Sequence, residues 1–97
     1  MTYEEYKELI DAWNKLAVDA GLRMSNDKPL PITFWKTFLG LKRKVHQDIY
    51  KGVHKTKSGN VPAYIVQTIR FAKRLEHDAF LDEVRLHIPL FEADKAS

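Results

Sequence analysis

Three consecutive cations, Lys42, Arg43 and Lys44, open a short segment that continues through His46, Gln47 and Lys51. On a helix starting near residue 42 these side chains have the chemistry to recognise a polyanion. Cations in a first helical turn oppose the helix dipole, at about 0.3–1 kcal/mol each, and nearby phosphates would remove that penalty. Arginine pairs bidentately with guanine and glutamine with adenine, each pairing worth ~1–3 kcal/mol of discrimination. Arg43 and Gln47 are therefore candidates for base edges. Lys42 and Lys44 flank them, and His46 has three roles open to it: a base contact, a phosphate contact or a filler of a helix crossing. Lys51, Lys55 and Lys57 suit phosphates, each adding close to one unit to the salt dependence of binding. Thr33, upstream, has a hydroxyl and neighbouring amides with which to hold a phosphate.

The charge distribution agrees with that chemistry. The 97 residues carry a net +3, but residues 31–75 hold ten bases and one acid, Asp48, for a net +9. Residues 1–30 are at −2 and residues 76–97 at −4. A basic middle between acidic flanks is the footprint expected of a polyanion-binding surface. Arg70, Lys73 and Arg74 belong to that middle, but they read as the solvated face of another helix.

The elements that position these groups are helical. Thr2-Tyr3-Glu4-Glu5 fits a capping box. Tyr6, Leu9, Ile10, Trp13, Leu16 and Ala17 then recur at helical spacing, and Gly21-Leu22 reads as a stop. This predicts a first helix over residues 3–20. A loop follows over 21–30. Pro31 opens a second helix whose stripe is Ile32, Trp35, Phe38 and Leu39, broken by Gly40. The third runs from Lys42 to about Lys51, with Val45 and Ile49 one turn apart and Gly52 beyond. A basic loop spans 52–60. Val61-Pro62 begins a fourth helix buried through Ile65, Ile69, Ala72 and Leu75. Ala79, Phe80 and Val84 either continue it or begin a fifth. Arg85 to Phe91 alternates in polarity and contains Pro89, which predicts a short extended arm. Residues 92–97 read as a frayed tail. The expectation is one all-α domain over residues 1–91, a compact bundle of four to five helices.

From Ile32 to about Leu75 the chain resembles the phage-repressor and Cro-type helix-turn-helix family, the XRE-like regulators. The matching residues are Phe38-Leu39-Gly40-Leu41 at the turn, Ile49 nine residues after the glycine, Gly52 at the end of the second helix, and Val61-Pro62-Ala63-Tyr64. The family pattern has a small residue four before the glycine and a branched apolar one six after it, where this chain has Lys36 and His46. The resemblance implies a helix-turn-helix at about 31–52, with the second helix in the major groove of double-stranded DNA. It also implies a transcriptional regulator, a repressor being the commonest kind, of phage or mobile-element type. Such regulators commonly dimerise, and Leu86, Ile88, Leu90 and Phe91 are the candidate interface.

Other chemistries find little support. The absence of cysteine excludes disulfides and thiolate metal sites. His46, His54, His77 and His87 lack the short spacing of a zinc site. No serine lies in a nucleophile motif and no glycine-rich loop cradles a nucleotide, so the sequence predicts a binding protein, with no cofactor, rather than an enzyme. Trp13 and Trp35 fall on apolar stripes and read as core. No apolar run approaches the ~20 residues of a membrane span, and a cytoplasmic location is expected. Two other readings fit the same residues. One is a small helical inhibitor or adaptor of a host protein, gripping through Tyr3, Tyr50, Tyr64 and Phe91. The other is a non-specific nucleic-acid binder.

Overall fold

Thr2 opens the first helix by the reciprocal pairing its sequence predicts. In the computed structural model its Oγ1 accepts the Glu5 amide at 3.1 Å, and the Glu5 carboxylate accepts the Thr2 amide at 3.0 Å. This helix, α1, spans Tyr3–Asp19 and buries Tyr6, Ile10, Trp13 and Ala17, one side chain per turn. It is followed by α2 (Phe34–Leu39), α3 (Arg43–Tyr50), α4 (Ala63–Lys73) and α5 (His77–Ala96). The structure describes residues 1–53 and 60–96, with side chains to Asp94. Among these residues there is no strand beyond two isolated bridges, Thr2 with Asn60 and Arg23 with Pro29. The chain is all-α, as expected, with five helices forming a compact globule about 18 Å thick along its shortest axis.

Two short helices lie between the longer ones because the chain turns sharply at Gly40. Its φ of 69° lies in the left-handed region, which costs any side-chain-bearing residue strain. The turn then closes α2 with two bonds, Leu41 N–H to the Lys36 carbonyl at 2.7 Å and Gly40 N–H to the Thr37 carbonyl at 3.2 Å. A Cβ added at Gly40 would meet nothing within 4 Å. The glycine is therefore required by backbone conformation and not by a close helix crossing. The same pair of bonds ends α3 at Gly52, where Val53 N–H reaches the Asp48 carbonyl at 2.8 Å.

The core is an aromatic joint between three helices. Trp13 of α1 packs on Trp35 and Phe38 of α2 and on Phe80 of α5, with ring centroids 5.4–5.6 Å apart. Trp35 stacks on Phe80 at 6.2 Å, and its indole N–H donates to Asn14 Oδ1 at 3.0 Å. Trp35 is fully buried and Trp13 nearly so, which settles both as core side chains. Fully burying a large apolar side chain contributes roughly 1.5–3 kcal/mol.

The C-terminal quarter departs from expectation. Residues 85–91 are helical, not an extended arm, and α5 continues through Ala96 where a frayed tail was expected. The reason is the period of burial. Phe80, Val84, Ile88 and Phe91 recur at four, four and three residues and turn one face to the core. Pro89 lies inside the helix, where it removes one backbone hydrogen bond on a solvent-facing turn. Two contacts hold the last turns down: Glu92 accepts the Ser25 amide and hydroxyl, both at 2.8 Å, and Asp94 meets Lys36 Nζ at 2.6 Å.

Candidate nucleic-acid interface

The face that α3 leaves outward is set by what its other face must bury. Ile49 and His46 point inward and are almost inaccessible, at 0% and 1% exposure. One helical step around, Arg43, Lys44, Gln47 and Lys51 form a continuous outward stripe in which only Gln47 is half-covered. This is the separation a reading helix requires, with one face fixing it to the body and the other free for base edges.

His46 leaves the set of contact candidates. Its Nδ1 lies 2.8 Å from the Tyr6 hydroxyl of α1, with the two rings edge to face and the Tyr50 ring on its other side. Its Nε2 is buried without a partner of full hydrogen-bond geometry. Desolvation pulls its pKa below the usual histidine value, only partly opposed by the Ile32 backbone carbonyl. The residue is a neutral strut between α1 and α3. A second strut lies a turn on, where the Tyr50 hydroxyl donates to Asp11 Oδ1 at 2.6 Å. That bond pushes the Tyr50 pKa up to about 12 and holds the Asp11 carboxyl below its usual range. Lys7 stands over the Tyr50 ring and pairs with Asp11 at 3.2 Å.

Lys36 takes a different course. Its ammonium runs to Asp94 on α5 and lies 5.5 Å from the centre of the Phe91 ring. The family pattern puts a small and a branched apolar side chain at these two positions. Here a lysine tethered to α5 and a buried histidine occupy them.

The cations differ in readiness. Lys44 pairs with Asp48 at 3.2 Å, so a phosphate must displace a carboxylate. Lys42 and Arg43 are exposed and make no ion pair among the described residues. Lys42 is the N-cap of α3 but makes no side-chain cap, and the first turn holds no acid. The opening amides of α3 are thus left to solvent or to a ligand.

Thr33 lies just before α2, as its N-cap, with no side-chain cap bond. The amides of Phe34, Trp35 and Lys36 donate to the carbonyls of Pro31, Ile32 and Thr33, so these three amides are already used. Thr33 does share one cleft wall with Lys42 and Arg43. Lys51 is exposed at the far end of α3. Lys55 and Lys57 lie outside the described residues.

The expected dimer surface shrinks to two residues. Phe91 is 3% exposed and packs on Phe34, and Ile88 packs against the core. Leu86 and Leu90, one turn apart on α5, remain exposed. Phe91 is equally lost as a protein-binding anchor. Sequence reasoning misses Phe71, exposed on α4 with Tyr64, and Leu75, which lies just beyond the end of α4 and is exposed rather than part of the core. The seven-residue spacing of Tyr64 and Phe71 is the available signal, since it puts both on a face of α4 different from that of Ile65, Ile69 and Ala72.

No family model, curated protein or solved structure matches this chain. Among the described residues no helix is long and apolar enough to cross a membrane.

Proposed function

We propose that this protein is a sequence-specific DNA-binding transcriptional regulator that lays α3 in the major groove as the second helix of a helix-turn-helix. The observation that carries the reading is the division of α3: His46 and Ile49 lock it to the body while Arg43, Lys44, Gln47 and Lys51 face out. Arg43 and Gln47 are the base-reading residues. Lys42, Lys44 and Lys51, with the Thr33 hydroxyl and with Lys55 and Lys57, meet phosphates. A repressor of phage or mobile-element type, acting in the cytoplasm as a dimer joined through Leu86 and Leu90, fits this reading. Two copies would then address half-sites about 34 Å apart. Fluorescence titration against pooled duplexes at stepped salt is the test. Binding that selects a minority of sequences and weakens steeply with salt supports it. Equal affinity for all sequences points to a non-specific binder instead.

A second reading has its own observation. Tyr64 and Phe71 on α4 and Leu75 just beyond it are 61%, 66% and 39% exposed, and the Arg74 guanidinium lies 5.9 Å from the Phe71 ring centre. An apolar stripe rimmed by cations is what an adaptor would present to a protein. Pull-down from nuclease-treated lysate separates the readings: a partner retained by the wild type and lost in Phe71→Ser favours the adaptor.

A further inference from the structure

A cleft of about 660 Å³ opens where the C-terminal turns of α5 pass the start of α3. Its size falls in the range of small-molecule sites, roughly 300–1,000 Å³. Its walls are of two kinds. Pro31, Leu41 and Phe91 give an apolar side. Lys36, Lys42, Arg43 and Asp94 give a charged side, three cations against one carboxylate, a net of +2. Asp94 is paired with Lys36 at 2.6 Å. Lys42 and Arg43 line the same cleft without ion partners among the described residues, at the uncapped first turn of α3.

We propose that this cleft binds a small organic anion, a carboxylate, sulfonate or phosphate head on a flat apolar body. Lys42 and Arg43 hold the head, and Arg43 has the planar fork suited to two of its oxygens. The body lies against Leu41 and Pro31 and over the rim of Phe91. Head and body are both needed, because an exposed oxyanion pair alone is weak in water and the apolar wall alone is small. The site does not depend on DNA binding, since its lining lies within one chain. Under the reading above, an occupant would take Lys42 and Arg43 from the DNA phosphates and act as an inhibitor of DNA binding.

The test is an amide chemical-shift titration of the full chain with three probes: 2-naphthalenesulfonate, inorganic phosphate and 2-naphthol. The expected result is saturable one-to-one binding of the sulfonate, with shifts over residues 31–43 and 91–94, and affinity at least tenfold weaker for phosphate or naphthol. The double variant Lys42→Ala/Arg43→Ala should lose at least tenfold for the sulfonate while Lys15→Ala keeps wild-type affinity. Both changed side chains are exposed, and a thermal melt confirms that the variant folds. Non-saturable shifts, shifts centred on Tyr64 and Phe71, or unchanged affinity in the double variant overturn the proposal. Sulfonate binding without DNA binding sinks only the DNA reading. DNA binding without sulfonate binding sinks only the cleft.

Discussion

The Tyr6 hydroxyl on α1 and His46 Nδ1 on α3 lie 2.8 Å apart in the core, a buried polar link between the proposed reading helix and the longest part of the body it packs on. The pair fixes the rotation of α3 and therefore the face it turns to solvent. Hydrophobic contacts alone would tolerate a small roll of a helix of only eight residues. A directional bond tolerates less.

Removing one partner should cost more than removing both. Tyr6→Phe leaves the His46 ring buried with an unmet nitrogen, and urea denaturation should show a loss of about 1–3 kcal/mol. The double variant Tyr6→Phe/His46→Leu should recover much of that loss. A double variant less stable than the sum of both single changes would contradict this account.

Stability should fall on mild acidification. His46 is held neutral by burial, which puts its folded pKa below the usual histidine value of 6.5. Near and below pH 6.5 the unfolded chain takes up a proton that the folded chain resists, so stability is full above that pH and declines as pH falls toward the folded pKa. Denaturation midpoints from pH 8 to pH 5 should follow this slope. His46→Leu should flatten it across the same window.

A carboxylate governs the end of α5 at lower pH. The amide and hydroxyl of Ser25 hold the Glu92 carboxyl below its usual range. That contribution is present above the unfolded value of about 4.5 and is lost as pH drops through the folded one. The Ser25 amide should lose hydrogen-exchange protection in that acidic window while Trp13 and Trp35 remain buried. Glu92→Ala, which removes the acceptor, should expose the amide already at neutral pH.

Gly40→Ala should destabilise by roughly 1–2 kcal/mol, the cost of a left-handed residue that bears a side chain. Nothing surrounds the new methyl group, so the loss is purely conformational. Gly40→Asn should cost less, since asparagine visits that region more readily. Equal losses for both variants would point to a steric cause instead.

On DNA, the side chains of α3 should separate by role. Arg43→Ala should relax sequence preference by about 1–3 kcal/mol at one base position. Lys51→Ala should weaken all sequences alike and reduce the salt slope by about 0.9. Competition titrations at two salt concentrations measure both effects.

Most of the frame was legible in the chain because local rules and burial agree there. The Thr2–Glu5 box, the α1 stripe and the glycine stops at 21, 40 and 52 each became an observed boundary within a residue or two. Only the second half of α5, from residue 85 on, escapes the sequence, because Pro89 and a run alternating in polarity carry more local weight than four apolar positions at helical spacing. Tertiary packing on α2 reversed that order. Of the three roles open to His46, the structure takes the third, filling a helix crossing, and the chain alone could not choose it. Three cations precede His46 within four residues, while the neighbour that matters, Tyr6, lies 40 residues away. The cleft was invisible because Lys36 and Asp94, 58 residues apart, meet only through the fold.

Both tryptophans report from a single place. Trp13 and Trp35 touch each other and share Phe38 and Phe80, so any change in their emission records the assembly of α1, α2 and α5 together. Stopped-flow traces of this protein will time that three-helix joint and stay blind to a late docking of α3. A reporter on Lys51, at the open end of the third helix, would supply the missing clock, and a lag between the two signals would measure how long the reading face stays unset after the body has formed.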